Sequence, residues 1–386
     1  MIPIKLCCVA MAVGGSSGWR AIEEPACEDG EQVVATTGLG ESAMAISSAN
    51  ASVRDPYWDQ VKGIAILAVI TIHSCYVAGL PQNSFALSAV LAWRQIANFA
   101  VPVFLAVSGY LAGRSKSPKD WHWVFRRLGL LLPAYLFWTI VFVLLFHRRD
   151  LIDPVKMMER LFFGTGIGIG YFVIVLVQMT FLTPLIDRVH KSYLHVLAMI
   201  TLTVLGISFT YTMQLYEIEP FNTFPMSALF FAVWYPFYHL GYFAGKRDWN
   251  PSSKAALGLA IITLALSFAE AFFWKGTLPA FAASQTKATS LAFSLSITLL
   301  ILANRDVAER RSVAFLAWLG RASYFVYLFH LIPVSLSKTI AHKVGLPKFT
   351  LSEMLFVAMA TILISILAAF TAQKTVPSFA KRWVLG

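Results

Sequence analysis

Charged residues are scarce in this sequence, where they make up 13% of 386 residues against 58% hydrophobic residues. Soluble domains carry about a quarter charged residues, so this composition and a mean hydropathy of +0.67 exclude an ordinary soluble enzyme. The four cysteines lack the paired spacing of a zinc site. A Walker loop, a glycine-rich dinucleotide turn and a nucleophile elbow are also missing, so any chemistry must come from the apolar segments.

Long apolar runs are abundant instead. Runs of about 20 residues, enough to cross about 30 Å of hydrocarbon as a helix, recur along the chain. Their length and the lack of period-two alternation favour helices over a barrel. We predict an all-α, polytopic membrane protein with about ten transmembrane helices. The predicted spans are 59–80, 94–113, 124–146, 168–187, 193–211, 225–245, 254–274, 285–303, 314–337 and 351–374.

The distribution of lysine and arginine predicts how these spans are oriented. Alternate loops carry 17 such residues on one side and 10 on the other, and positively charged loops are retained in the cytoplasm. We therefore place both termini in the cytoplasm and the chain in the inner (plasma) membrane. The same bias accounts for most of the net charge of +11, so no nucleic-acid partner is expected.

The first 53 residues match neither a span nor a folded domain. Their apolar stretch LCCVAMAVGG (6–15) is too short to cross a membrane. We interpret residues 1–53 as a disordered leader or a misassigned start, with Met44 as an alternative start. Residues 54–375 then form the transmembrane domain, and residues 376–386 form a cytoplasmic tail.

The first predicted span carries a lysine and a histidine on one face. Lys62 and His73 are eleven residues apart, close to three helical turns, so they share a face and lie about 16 Å apart along the axis. Asp59, one turn before Lys62, can pair with it. An ionisable residue inside a membrane is a functional-site hypothesis by default, although His73 could also simply bond to a neighbouring helix. A neutral imidazole is well suited to take a proton from an alcohol.

Asp59, Lys62 and His73 resemble the first-helix signature of the integral-membrane acyltransferase family 3, a basic residue followed by ten residues and a histidine. This family contains O-acyltransferases of surface polysaccharides, O-antigen and nodulation factors. Leu130 stands where many members carry an arginine. Four later segments resemble family motifs in the same order: FAVPVFLAVSGYLAG (99–113), FRRLGLLLPAYLFW (125–138), YFVIVLVQMTFLTPL (171–185) and LGRASYFVYLFH (319–330).

The resemblance implies a membrane-bound O-acyltransferase of polysaccharide biosynthesis. An acyl group, acetyl in the leading interpretation, would pass from acyl-CoA as co-substrate to a hydroxyl of a surface or secreted glycan or a lipid-linked sugar. His73 would act as the general base or carry the acyl group itself. His330, at nearly the same depth as His73, would assist near the acceptor, or else only anchor its helix at the interface. No permanently bound cofactor and no metal are expected.

Four basic residues are expected to gather at the cytoplasmic face: Lys62, Arg114, Arg126 and Arg127. We interpret them as contacts for the phosphates of coenzyme A, although such residues also snorkel and fix orientation in any membrane protein. Five further residues are assigned to substrate or structural support: Asp59, Ser108, Tyr110, Gln178 and Tyr324. The alternative function is a polysaccharide export or flipping protein, in which His73 and His330 line a polar path without acyl chemistry.

Overall fold

The computed structural model describes residues 55–190, 193–308 and 313–386, and the leader assigned to residues 1–53 lies outside them. Every regular element in these ranges is helical. The helices are α1 (Pro56–Ser74), α2 (Phe85–Ala97), α3 (Ala100–Arg114), α4 (Trp121–Phe146), α5 (Pro154–Phe162), α6 (Tyr171–Val189), α7 (Leu194–Leu215), α8 (Phe231–Arg247), α9 (Ser253–Trp274), α10 (Pro279–Ala282), α11 (Ala288–Ala303), α12 (Arg305–Ala308), α13 (Ala314–Arg321), α14 (Ser323–Phe329), α15 (Leu331–Lys343), α16 (Leu351–Thr375) and α17 (Ser378–Val384).

Six candidate membrane spans meet the length and composition expected of a crossing helix. They are α2 with α3, taken together as Phe85–Arg114, and α4, α6, α7, α9 and α16. A seventh is reached if α14 and α15, which are bent by 52° at their junction, form one broken span. The prediction of an all-helical, multi-pass membrane protein is confirmed in this coarse form. The count of ten stays a prediction, because α1, α8 and α11 occupy predicted spans without meeting that test.

The second predicted span was wrong at its start, since its helix begins at Phe85 and not at residue 94. The Ser84 side chain caps α2 by accepting a hydrogen bond from the backbone N–H of Leu87 at 3.1 Å. The earlier start places Arg94 inside a helix, about 14 Å along its axis from Phe85. Arg94 therefore lies well inside the candidate membrane span Phe85–Arg114 and not at its first residue.

The span predicted at 314–337 is not one straight helix, since it is divided among α13, α14 and α15. Pro333 explains the break between the last two helices. Proline has no N–H to donate to the carbonyl of Phe329, and its ring clashes with that carbonyl. His330 lies at the resulting 52° bend.

Near its start, helix α1 packs against α13 with the two backbones very close together. A Cβ atom added at Gly63 would stand 2.2 Å from the carbonyl oxygen of Leu316, and one added at Gly320 would stand 1.6 Å from that of Asp59. Only glycine permits such an approach between helices. The beginning of α1 is thereby held firmly against α13.

Residues 376–386, expected as a tail, include α17, which packs against α4. The indole N–H of Trp138 donates to the carbonyl of Val384 at 3.0 Å, and Arg382 Nε donates to the carbonyl of Gly129 at 2.9 Å. This segment is therefore bound to a membrane-spanning helix along part of its length.

Candidate active site

The two histidines singled out by the sequence meet in the structure. His73 lies in the last turn of α1, and His330 lies at the break between α14 and α15. Their ring centroids are 5.3 Å apart and their planes are tilted by 50°. His330 is fully buried, whereas His73 is partly exposed to a cavity. The contact joins the first helix of the bundle to the bend in the late span.

The hydrogen bonds of His330 indicate where its proton resides. Its Nδ1 lies 2.8 Å from the carbonyl oxygen of Tyr327 and 3.1 Å from that of Val326. Two carbonyl acceptors favour the tautomer with the proton on Nδ1. Nε2 then carries a lone pair, and it has no hydrogen-bond partner within residues 55–190, 193–308 and 313–386. His330 thus provides an unused basic nitrogen beside the ring of His73.

A cavity of about 150 Å³ lies beside His73. A mixture of apolar walls with a few amides and hydroxyls is typical of sites that bind polar small molecules. The polar and aromatic residues of its wall are Tyr171, Gln214, Asn222, Phe224, Ser227, Phe281, Ser284, Gln285 and Thr286.

Arg94 lines the same cavity from α2. Its Nη1 donates to the carbonyl of Ile72 at 3.0 Å, and its Nε donates to the carbonyl of Ala283 at 3.3 Å. Arg94 is not among the site residues that the sequence predicts, because the predicted second span begins at residue 94 while the helix begins at Phe85. The signal that could have found it is Ser84, a helix-capping residue followed directly by an apolar run.

Buried polar side chains hold the wall formed by residues 279–287. Gln95 Nε2 donates to the carbonyl of Ala282 at 3.2 Å. The fully buried Lys287 donates to Gln95 Oε1 at 2.8 Å and to Ser290 Oγ at 2.6 Å. Gln285 donates to the Tyr171 hydroxyl at 2.6 Å, which ties the same wall to α6. None of these contacts follows from the pattern of one helix, so they cannot be predicted from the local sequence.

The residues predicted to bind the donor lie toward the other end of α1, and we call Lys62, Arg114, Arg126 and Arg127 the basic end. Lys62 Nζ is 2.6 Å from Asp59 Oδ1, the pairing that their spacing predicts. Arg114 Nη1 donates to the Tyr110 hydroxyl at 2.9 Å. The Tyr110 ring lies 4.1 Å from that of Trp58, between centroids, so the end of α3 meets the beginning of α1.

The two neighbouring arginines of α4 have different surroundings. The Arg127 guanidinium lies 5.3 Å from the ring centre of Trp123, and its Nη2 reaches the carbonyl of Ser108 at 3.5 Å. Arg126 is exposed. Burial and neighbouring positive charges lower the pKa of Lys119 in the loop before α4. Basic side chains are therefore concentrated here, with Arg127 directed more inward than Arg126.

The remaining predicted residues lie apart from the cavity beside His73. Gln178 has a buried side-chain oxygen without a hydrogen-bond partner in the described part of the chain. Tyr324 donates to the carbonyl of Leu131 at 2.8 Å and so joins α14 to α4. Leu130, which replaces a family arginine, is 61% exposed. Tyr324 thus joins two helices, whereas the side-chain oxygen of Gln178 can still accept a hydrogen bond.

Helix α1 is tightly packed between the basic end and the histidines. Ala65, Ile66 and Ile70 are all at most 1% exposed. Lys62 and His73 lie about 16 Å apart along the axis of α1. The basic end and the pair of histidines are therefore two separate sites. Within the described ranges, no group of three or more His, Cys, Asp or Glu side chains could hold a metal ion.

Comparison with known proteins bears on what these sites do. A family model described as an acyltransferase domain matches residues 55–370, which is most of the chain. No curated protein and no solved structure matches it. The matched region includes α1 with His73, the bend at His330 and the basic end. The chain therefore belongs to acyltransferase family 3.

Proposed function

We propose that this protein is an O-acyltransferase of the inner membrane that transfers an acyl group, expected to be acetyl, from acyl-CoA to a hydroxyl of a surface or secreted glycan or a lipid-linked sugar. The observation that carries the proposal is the contact of His73 with His330 beside a cavity lined by apolar and polar side chains. It offers a base next to a space suited to a hydroxylated acceptor. The choice of glycan and acetyl donor extends the family membership and rests on the sequence motifs.

His73 takes the proton of the acceptor hydroxyl as the acceptor oxygen attacks the acyl carbonyl. His330 Nε2, which has no partner among the described residues, would accept a hydrogen bond from the other ring nitrogen of His73 during the reaction and so keep the basic nitrogen of His73 directed to the cavity. Collapse of the intermediate breaks the carbon–sulfur bond, and the thiolate of coenzyme A leaves with the proton. Direct transfer and a short-lived acyl group on His73 both fit this arrangement.

Coenzyme A would bind at the basic end, where guanidinium groups can form paired hydrogen bonds with phosphate and Lys62 adds a point charge. Because α1 is packed between its two sites, the thioester arm would enter the bundle alongside α1 to reach His73. A topology of ten spans with both termini in the cytoplasm would expose the basic end to cytoplasmic acyl-CoA. The cavity would then lie toward the outer side, where glycan acceptors are found.

His73→Ala in purified, vesicle-reconstituted protein tests the proposal, with thiol release from acetyl-CoA as the readout. We expect release to fall to background at unchanged abundance, because the proton acceptor is lost. His122→Ala, which alters an exposed histidine of α4, should retain activity. Full activity of His73→Ala would contradict the general-base assignment. Glycan transport into vesicles without thiol release or acylation would favour the export function.

A further inference from the structure

The proposed reaction needs a group that stabilises negative charge. As the acceptor oxygen attacks, the acyl carbonyl oxygen becomes an oxyanion, and preorganised donors aimed at that oxygen usually supply the largest catalytic contribution. An imidazole that is accepting a proton does not at the same time serve as such a donor. A donor is therefore required that faces the cavity beside His73.

Arg94 has the position that this role requires. It lines the cavity together with His73, and its Nη1 donates to the carbonyl of Ile72, the residue directly before His73. Its Nε donates to the carbonyl of Ala283, in the segment 279–287. A guanidinium has five N–H donors, so these two bonds fix its position and leave about three donors for other partners.

Arg94 lies well inside a candidate membrane span and has no acidic partner among the described residues. Among the described residues, no carboxylate oxygen lies within 4.0 Å of its guanidinium, whereas Arg160 is 2.9 Å from Asp150 and Arg305 is 2.6 Å from Asp248. An unpaired charge away from water costs free energy. A carboxylate partner would weaken the positive potential in the cavity, so its absence keeps Arg94 available to a transient anion.

We propose that Arg94 holds the oxyanion of the acyl-transfer step, a role that rests on the proposed function. The O–H bond of the acceptor breaks and its proton passes to His73 while the new carbon–oxygen bond forms. The electron pair of the carbonyl moves onto oxygen, which accepts N–H bonds from Arg94. When the carbonyl re-forms, the carbon–sulfur bond breaks and the thiolate takes the proton from His73, so no further reactant is needed.

Hydrolysis of acetyl-CoA by the reconstituted protein, with water as the acceptor, is the most direct test. Water carries no anionic group, so an arginine that only recognised an acidic acceptor would not affect this reaction. We expect Arg94→Gln to lower kcat for hydrolysis about 10²- to 10³-fold, with little change in KM for acetyl-CoA. Arg94→Lys should fall between this variant and the wild type. An unchanged kcat in Arg94→Gln would overturn the proposal.

Two controls separate this role from simple support of the fold. Millimolar guanidinium ion should restore part of the activity of Arg94→Ala and none of that of His73→Ala. Asn98 Nδ2 lies 3.4 Å from the same Ala283 carbonyl and 3.2 Å from that of Ser284, but Asn98 is uncharged. Asn98→Ala should therefore cost far less activity than Arg94→Gln.

The possible results point to different conclusions. An equal loss in Asn98→Ala, or no rescue by guanidinium ion, would assign Arg94 to support of the fold and overturn its proposed role. Absence of His73-dependent thiol release from the wild-type protein would instead refute the proposed function itself. Wild-type release that depends on His73 but not on Arg94 would refute the oxyanion role alone.

Discussion

The basic end and the histidine site lie at opposite ends of α1, and their positively charged side chains have different partners. At the basic end Lys62 is paired with Asp59 at 2.6 Å, and Arg114 donates to a tyrosine hydroxyl. Beside the histidines Arg94 donates to backbone carbonyls, and it has no carboxylate partner in the described ranges. Cations near solvent suit reversible binding of phosphates, whereas a cation held by backbone carbonyls beside two imidazoles suits the stabilisation of a transient charge.

The two sites also differ in how the chain assembles them. Asp59 with Lys62 and Tyr110 with Arg114 are pairs within single helices, three or four residues apart. The histidine site brings together residues from α1, α2 and the bend at His330, which are far apart in sequence. Changes that alter how helices meet should therefore harm the histidine site more than the basic end.

Changing the register between the two sites should have the largest effect. One alanine inserted after Ile66 turns His73 by about 100° and moves it about 1.5 Å relative to Lys62. Gly63 and Gly320 hold the beginning of α1 against α13, so the turn moves His73 away from His330. We expect thiol release from acetyl-CoA to fall to background while membrane abundance is unchanged.

A longer insertion tests whether activity depends on the direction in which His73 faces or on its position along the helix axis. Four residues inserted after Ile66 restore the facing of His73 to within about 40° but move it about 6 Å outward. We expect no recovery, because the contact with His330 and the cavity fix its depth. One alanine inserted after Gln82, in the exposed turn before α2, should preserve activity. Full activity of the one-residue insertion in α1 would mean that its two ends act independently.

Removal of His330 should have the next largest effect. His330→Ala is expected to lower kcat by about 10²-fold, because the group that orients His73 is lost. His239 is a matched control: it is also fully buried, its Nδ1 is bonded to the Tyr235 hydroxyl at 2.7 Å, and its Nε2 has no partner among the described residues. Its ring contacts His195 instead of His73. Equal losses in the two variants, measured by thiol release, would point to packing as the cause.

A smaller effect is expected at the basic end. Arg127→Gln should raise KM for acetyl-CoA several-fold with little change in kcat, because phosphate contacts belong to donor binding. Arg126→Gln should have a weaker effect, since Arg126 is exposed while Arg127 lies against Trp123. Steady-state kinetics at matched abundance would separate them. If both variants inserted less well into the membrane and KM were unchanged, the two arginines would serve only to orient the protein in the membrane.

Some features of the histidine site could be predicted because they depend on a single helix. The spacing of Lys62 and His73 defines a shared face of α1 whatever the helix packs against. Ser84 indicates a helix that begins before Arg94, but the polar pair Arg94 and Gln95 interrupts the apolar run, and no local pattern shows what Arg94 contacts. The helix continues through these residues because carbonyls of Ile72, Ala282 and Ala283 accept their hydrogen bonds. Those acceptors belong to other segments and leave no signal nearby in the sequence.

The bend at His330 could likewise be predicted only in part. Pro333 predicts that the helix is interrupted one turn earlier, but the direction of the bend depends on the helices around it. That direction brings the ring centroid of His330 to 5.3 Å from that of His73, which lines the cavity. Equal depth in the membrane, which the sequence indicates, does not establish such a contact.

The sequence alone determined that this is a multi-pass helical membrane protein of acyltransferase family 3, with Lys62 and His73 on one face of α1. Hydrophobic length and helical period are local properties, so neighbouring residues are enough to read them. Only the tertiary structure decided that His330, Arg94 and the wall at residues 279–287 meet beside His73. These groups come from distant segments, and they are brought together by the packing of helices around α1, which the pattern of any one helix does not encode.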